Sequence, residues 1–310
     1  MKKVELHLHF DGSCNIELAS KLLKRDVSSE LVASKTSNLS EYLEKFGLAI
    51  DLLQDLDNIE EFAYLLGKDL EADDVIYAEV RFCPLLHTEK YSVQDVVQAI
   101  IKGFRRVPKV KINLIFCMMR NFPIEKNRKI IYLTQAFLGE GVCGIDLAGD
   151  EANFKTKDFK ELFDQINREK IPFTIHAGEA DSYESVLSAI QFGTKRIGHG
   201  VRSIESMDTI KQLRDKGITL EICPTSNVDT KVVDDISEHP IKKLNDLGVL
   251  ITINTDNRTV SNTNLNKEYE ILQKEFNFSD EDFLQFNLNA INCAFISEKE
   301  KELLRKELLN

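Results

Sequence analysis

Eight short runs rich in Val, Ile, Leu and Phe recur along this chain, with text of helical period between them. The runs are "VELHLHF" (4–10), "IYAEVRFC" (76–83), "KINLIFCMM" (111–119), "CGIDLA" (143–148), "PFTIHA" (172–177), "KRIGHG" (195–200), "ITLEIC" (218–223) and "VLITINTD" (249–256). Between them lie stretches such as "DFKELFDQINREK" (158–170), "YESVLSAIQFG" (183–193) and "SMDTIKQLRDKG" (206–217), the last two closed by glycine as a helix C-cap would be. Strands that alternate with helices predict a parallel sheet, and eight is the number that closes a (β/α)₈ TIM barrel. At 310 residues the chain is long enough for one such α/β barrel with additions, so a single catalytic domain over 1–310 is expected.

The first connection departs from the beat. About 65 residues separate the first two runs, far more than one helix and its short loops require. The text there is helical ("IELASKLLKR", "LSEYLEKFGLAIDLLQDL", "IEEFAYLLGKDLEAD") and predicts a helical insertion over about 15–75 that lies across the barrel mouth. After the eighth run, "LNKEYEILQKEF", "SDEDFLQFNLNAINCAF" and "SEKEKELLRKELL" predict extra C-terminal helices.

A net charge of −11 argues against nucleic acid and anionic membranes, which select a basic face. No run is long enough to cross a bilayer. Cysteines stand at 14, 83, 117, 143, 223 and 293 without a CxxC pair, so neither a thiolate metal site nor a disulfide framework is expected. The expected location is the cytoplasm. Nothing in the sequence bears on oligomeric state.

In a barrel the chemistry sits where strands end and the following loops begin. The first run ends in His7, His9 and Asp11, the fourth in Asp146 and "LAGDE", the fifth in His176 followed by Glu179, the sixth in His199, and the eighth in Asp256. Strand residues two apart share a face, so His7, His9 and Asp11 point the same way. Imidazoles and a carboxylate are the donors a catalytic zinc takes, and His7, His9, His176 and Asp256 supply such a set from three strands. "HTE" (87–89) matches half of the zinc signature of the cytidine-type deaminases, but the PCxxC half is absent, so His87 and Glu89 read as loop residues.

Together "VELHLHFDGS", "GIDLAGDE", "TIHAGE", "RIGHGV", "LEICPTSN" and "TINTDN" resemble the motif blocks of the adenosine deaminase family, within the amidohydrolase superfamily, in family order. The resemblance implies the (β/α)₈ fold and one Zn²⁺ per chain. It also implies zinc-dependent hydrolytic deamination of adenosine, and of 2′-deoxyadenosine, to inosine or its deoxy counterpart plus ammonia. Carried over by motif, His7, His9, His176 and Asp256 are the metal ligands. Glu179 is the acid that protonates purine N1. His199 is the residue that orients and helps deprotonate the zinc-bound water. Asp11, beside His9, is the partner of the ribose 5′-hydroxyl. Gly149 offers its backbone N–H to purine N3, and Tyr42, Leu43 and Phe46 form an apolar lid. The implied partner is a small purine nucleoside.

Where several family members carry a second aspartate after the ligand, this chain has Asn257. Purine N7 is an acceptor, and an amide N–H₂ donates to it without needing an added proton. Two other readings stand beside this one. An adenine deaminase would run the same chemistry on the free base, although Asp11 and the long first connection favour a nucleoside. A catalytically silent deaminase-like binding protein would have lost metal or proton-transfer residues, and this chain has all of them.

Overall fold

The computed structural model describes every residue except 34, 35 and 37. Its strands are β1 (Lys3–His9), β2 (Val75–Phe82), β3 (Lys111–Met119), β4 (Val142–Ala148), β5 (His176–Ala177), β6 (Arg196–His199), β7 (Thr219–Ile222) and β8 (Leu250–Ile253). Parallel ladders join β1 through β4 in order and β5 through β8 in order. Two seams close the ring. At the first, Ile145 of β4 donates to Pro172 O (2.9 Å) and accepts from Thr174 N–H (3.0 Å). At the second, Asp256 N–H donates to His7 O (2.9 Å) and His9 N–H to Asp256 O (2.7 Å). The side chain of Asn254 reinforces this seam by accepting Leu6 N–H at 2.9 Å. Eight parallel strands in one ring make the expected α/β barrel.

The fifth run differs from its expected extent. Of 172–177 only His176 and Ala177 form a ladder. Pro172 has no N–H to give, so the chain before His176 meets β4 through the isolated Ile145–Phe173 bridge instead.

Between β1 and β2 the chain forms short helices at Ile16–Leu23, Ser28–Leu31, Leu39–Leu43 and Gly47–Leu52, and then the long helix Leu56–Ala72. That long helix buries Ile59, Phe62, Ala63, Leu66 and Leu70 at helical spacing and packs against Val93–Arg105. It belongs to the outer ring of helices, so the addition to the barrel is the set of short helices before it. Helix ends follow the sequence cues. Gly193, at φ 90°, caps Tyr183–Phe192, and Ser279 and Ser297 begin the C-terminal helices with capping boxes. Asp280–Cys293 closes the bottom of the barrel, where Asn287 Oδ1 accepts Val4 N–H at 2.8 Å.

Apolar strand residues face the helices, while the barrel interior carries ions. Arg81 of β2 donates at 2.8 Å both to Asp146 of β4 and to Glu221 of β7. Arg196 of β6 pairs with Glu79 of β2 and reaches Glu221 through Nε at 2.7 Å. All five side chains are fully buried. Apart from Arg196–Glu221, which joins the adjacent β6 and β7, the paired strands are not neighbours, so these pairs meet across the barrel axis and fix the radial positions of the strands that carry the site above them.

Candidate metal centre and active site

The seam between β8 and β1 sets the geometry of the site. Its backbone bonds place Asp256 level with His7 and His9, and the side chains converge. His7 Nε2 lies 3.3 Å and His9 Nε2 3.4 Å from Asp256 Oδ1. His176, from β5 across the mouth, brings its Nε2 to 3.1 Å from His9 Nε2. Ligand atoms around a tetrahedral zinc, each at about 2.0–2.1 Å, stand roughly 3.3 Å from one another. The three spacings fit that shell. His7 Nε2 is buried and has no hydrogen-bond partner among the described residues, which is costly unless an ion takes its lone pair.

His7, His176, His199 and Asp256 form a group of four possible ligands, with ligand atoms all within 4.8 Å of one another. His9 approaches the same point, so five side chains surround it. Burial lowers His9 to about 3 and keeps its imidazole neutral, as metal binding requires. Burial alone would favour the acid form of Asp256, but the adjacent His7 and His9 hold it well below the usual carboxylate range.

A layer of charged residues holds these ligands from below. His7 Nδ1 contacts Glu221 Oε2 at 2.8 Å, and His176 Nδ1 lies 2.9 Å from Asp146 Oδ2. Each carboxylate favours the Nδ1–H tautomer and leaves Nε2 free to face the site. Arg81 grips both carboxylates, so one guanidinium ties the two histidines together. Ser226 adds a bond to Asp256 Oδ2 at 2.6 Å.

Glu179 sits beyond the metal cluster, 4 % exposed, with Oε2 3.6 Å from His199 Nε2. Burial, and then the charge of Asp256, push its carboxyl up to about 8. Its loop hangs from Glu151, whose carboxylate accepts N–H groups from Gly178, Glu179, Ala180 and Asp181 at 2.7–3.1 Å. His199 and Asp256 both have left-handed backbone, at φ 60° and 59°.

One pocket is lined by His9, Asp11, Gly149, His176, Glu179, His199, Asp256 and Asn257. Tyr42, Leu43 and Phe46 of the short helices form its apolar wall. Gly149 stands there at φ 98°, a conformation that favours glycine. Every residue singled out in the sequence for the metal, the proton or the substrate therefore borders this point or its pocket. His87 lies in the loop after Pro84–Leu86, as expected, but not at the surface. It is buried, with both ring nitrogens unpartnered among the described residues and Nε2 3.7 Å from Asp11 Oδ2. Glu89 is exposed, as a loop residue should be.

A family model described as adenosine deaminase matches residues 2–310. The chain belongs to the adenosine deaminase family. Among curated relatives, adenosine deaminase of Clostridium perfringens (strain SM101 / Type A) is 39% identical, with 100% of this chain and 98% of the relative covered. That of Haemophilus ducreyi is 40% identical over 97% of this chain and 94% of the relative. Among solved structures, adenine deaminase from Arthrobacter aurescens superposes with a TM-score of 0.89 at 21% identity, over 99% of this chain and 98% of that one. Arabidopsis N6-mAMP deaminase does so at 0.88 and 24%, over 99% and 97%. At such identities these two establish the fold. The family is zinc-dependent, and zinc is the metal that the histidine and aspartate cluster fits.

Proposed function

We propose that the chain hydrolyses adenosine, and 2′-deoxyadenosine, at C6 to give the 6-oxopurine nucleoside and ammonia. The observation that carries this reading is a buried Glu179, its carboxyl pushed up by burial, beside a metal-ready cluster in one pocket walled by apolar side chains. The curated relatives that match it along nearly their whole length are adenosine deaminases.

His7, His9, His176 and Asp256 would hold the zinc. When bound, it supplies a water acidic enough to attack near neutral pH. The protein's own groups do the rest. Aromatic C6 is a poor electrophile. Glu179 keeps its proton at neutral pH and delivers it to purine N1, which draws electron density away from C6. Water oxygen bonds to C6 and the C6–N6 bond breaks; of the two protons the water gives up, one goes to N6, which leaves as ammonia, and one restores Glu179, whose own proton stays on N1 of the 6-oxo product. His199 faces the reacting water, Asp11 takes the ribose 5′-hydroxyl, Gly149 N–H meets N3, and Asn257 meets N7. Tyr42, Leu43 and Phe46 exclude bulk water.

Asp11 in the pocket wall favours a nucleoside over the free base. The whole chain is read as one catalytic domain. No helix among the described residues is long and apolar enough to cross a membrane. The net charge of −11 disfavours nucleic acid, and six free cysteines suit the reducing cytoplasm. The test is the fall of the adenosine absorbance band with release of ammonia, with adenine run in parallel. Turnover of adenine alone would replace the reading with the free-base one.

A further inference from the structure

His199 is held by a relay that begins at a backbone amide. Ile241 N–H donates to His239 Nδ1 at 3.1 Å. A backbone N–H can only donate, so His239 Nδ1 is the acceptor and its ring proton is on Nε2. Burial lowers His239 to about 3, in keeping with a neutral ring. His239 Nε2–H then points at Asn227 Oδ1, 3.1 Å away, and this fixes which end of the amide faces which ring. The amide nitrogen of Asn227 lies 3.0 Å from His199 Nδ1. An amide N–H₂ has no lone pair to offer, so His199 Nδ1 must accept, and the single ring proton of neutral His199 is on Nε2. All three side chains are buried, with His239 at 3 %, Asn227 at 0 % and His199 at 1 % exposure.

We propose that Asn227 and His239 are positioning residues that lock His199 as a neutral hydrogen-bond donor through Nε2–H toward the reacting water and Glu179. The inference rests on the deaminase reading and narrows it. An Nε2 that already carries a proton cannot accept one, and a second proton on Nδ1 would clash with the Asn227 amide. His199 therefore holds the water by donation and does not act as its base. The same argument separates it from the metal ligands, since a ligand needs a bare nitrogen facing the ion. His7 and His176 have the opposite arrangement, with carboxylates behind Nδ1. The groups behind Nδ1 thus separate His7 and His176, which present a bare Nε2, from His199, which donates from it.

The direct readout is the tautomer. In zinc-loaded protein with ¹⁵N-labelled histidine, two-bond proton–nitrogen spectra should give His199 a pyridine-type Nδ1 and a pyrrole-type Nε2. Single histidine variants would assign the signals. Asn227→Asp offers two acceptor oxygens, so His199 should invert to the Nδ1–H form. It should then lose about 10–100-fold in kcat, the range typical of residues that orient a site group, with zinc content and KM for adenosine little changed. His239→Gln keeps a donor for Asn227 Oδ1 and should keep most of that turnover. His239→Leu frees the amide to rotate and should behave like Asn227→Asp. Thermal unfolding of each variant separates loss of fold from loss of orientation. A wild-type His199 with a protonated Nδ1, or an Asn227→Asp variant that keeps both tautomer and kcat, would overturn the proposal. Because the spectra need no turnover, a protein inert on adenosine that still showed this tautomer would overturn the deaminase reading alone.

Discussion

The carboxylate of Glu151 accepts the backbone N–H of Glu179 at 2.9 Å, and the same oxygen takes the N–H of Ala180 and of Asp181 at 2.8 and 3.1 Å. One buried carboxylate thus suspends the loop that carries the proposed proton donor. An amide offers only one acceptor oxygen, so Glu151→Gln cannot serve both Gly178 and the other three groups. Hydrogen bonds to a charged group contribute about 1.5–3 kcal/mol each. The variant should melt earlier by at least one such bond and lose kcat while it keeps its zinc. Equal kcat at a lower melting temperature would show that the clamp serves the fold alone.

Glu179→Gln tests the proton itself. The amide has the shape of the acid but cannot transfer the N1 proton. General acid catalysis typically contributes about 10²–10⁴ in rate. Zinc content and melting temperature should match wild type, with kcat lower by at least that range. A tenth of normal kcat with normal zinc would remove Glu179 from the role.

Metal removal should abolish turnover, and added zinc should restore it. Arg81 makes this test more specific, because it pairs with the carboxylates behind both His7 and His176. Arg81→Met leaves two buried carboxylates short of a partner, a loss of about 3–5 kcal/mol for a broken buried pair. Zinc affinity should also fall about 10–100-fold. Elemental analysis after dialysis against graded chelator reads this directly. A variant that is less stable but holds zinc as before would confine Arg81 to the barrel interior.

The metal cluster was legible because strand periodicity is local. The alternation in "VELHLHF" is enough to place His7 and His9 on one face, and the glycine-flanked "GHG" marks a strand end. The supports were harder to see. Glu79 and Arg81 in "YAEVRF", and Glu221 in "LEIC", break apolar runs, and a charge inside a strand signals a buried partner. Which partner it is depends on distances across the barrel, which no sequence spacing records. Asn227 ends the block "LEICPTSN", but its partner His239 lies twelve positions on in loop-like text, and no spacing pairs them. His87 is the loop residue its text suggests, but its burial is not legible, because burial of a loop side chain depends on what folds over it. The fifth strand is shorter than its apolar run because Pro172 is apolar but lacks the N–H a ladder needs.

Glu268 gives a pH test away from the proposed ligands. Burial pushes its carboxyl up to about 7, against the bonds it accepts from Thr225 N–H and Thr263. A folded-state pKa above the ordinary 4.5 gives stability that is fully present below that value and lost as pH rises through about 7. Glu268→Gln mimics the protonated form at every pH. Its melting temperature relative to wild type should rise steadily between pH 4.5 and 7 and level off above. A difference that does not change with pH would mean that Glu268 titrates normally.

Asn257 lies against Gly12. A Cβ on Gly12 would come within 1.9 Å of Asn257 Oδ1, so only glycine lets the amide sit there. Oδ1 is buried and unpartnered among the described residues, and the side chain lines the pocket. With the oxygen turned onto Gly12, the amide nitrogen is directed away from it, where it can donate to purine N7. Asn257→Asp should stay active but weaken as pH rises, since only the protonated acid can donate. Asn257→Leu leaves N7 desolvated without a partner, at about 1–3 kcal/mol, or roughly 5- to 150-fold in kcat/KM. Gly12→Ala should reproduce part of that loss by pushing the amide out of place. The deciding comparison uses 7-deazaadenosine, which has no N7 acceptor. A bond to N7 requires that Asn257→Leu harm adenosine and spare the deaza analogue. Equal loss on both would leave Asn257 as a support for the loop that carries Asp256.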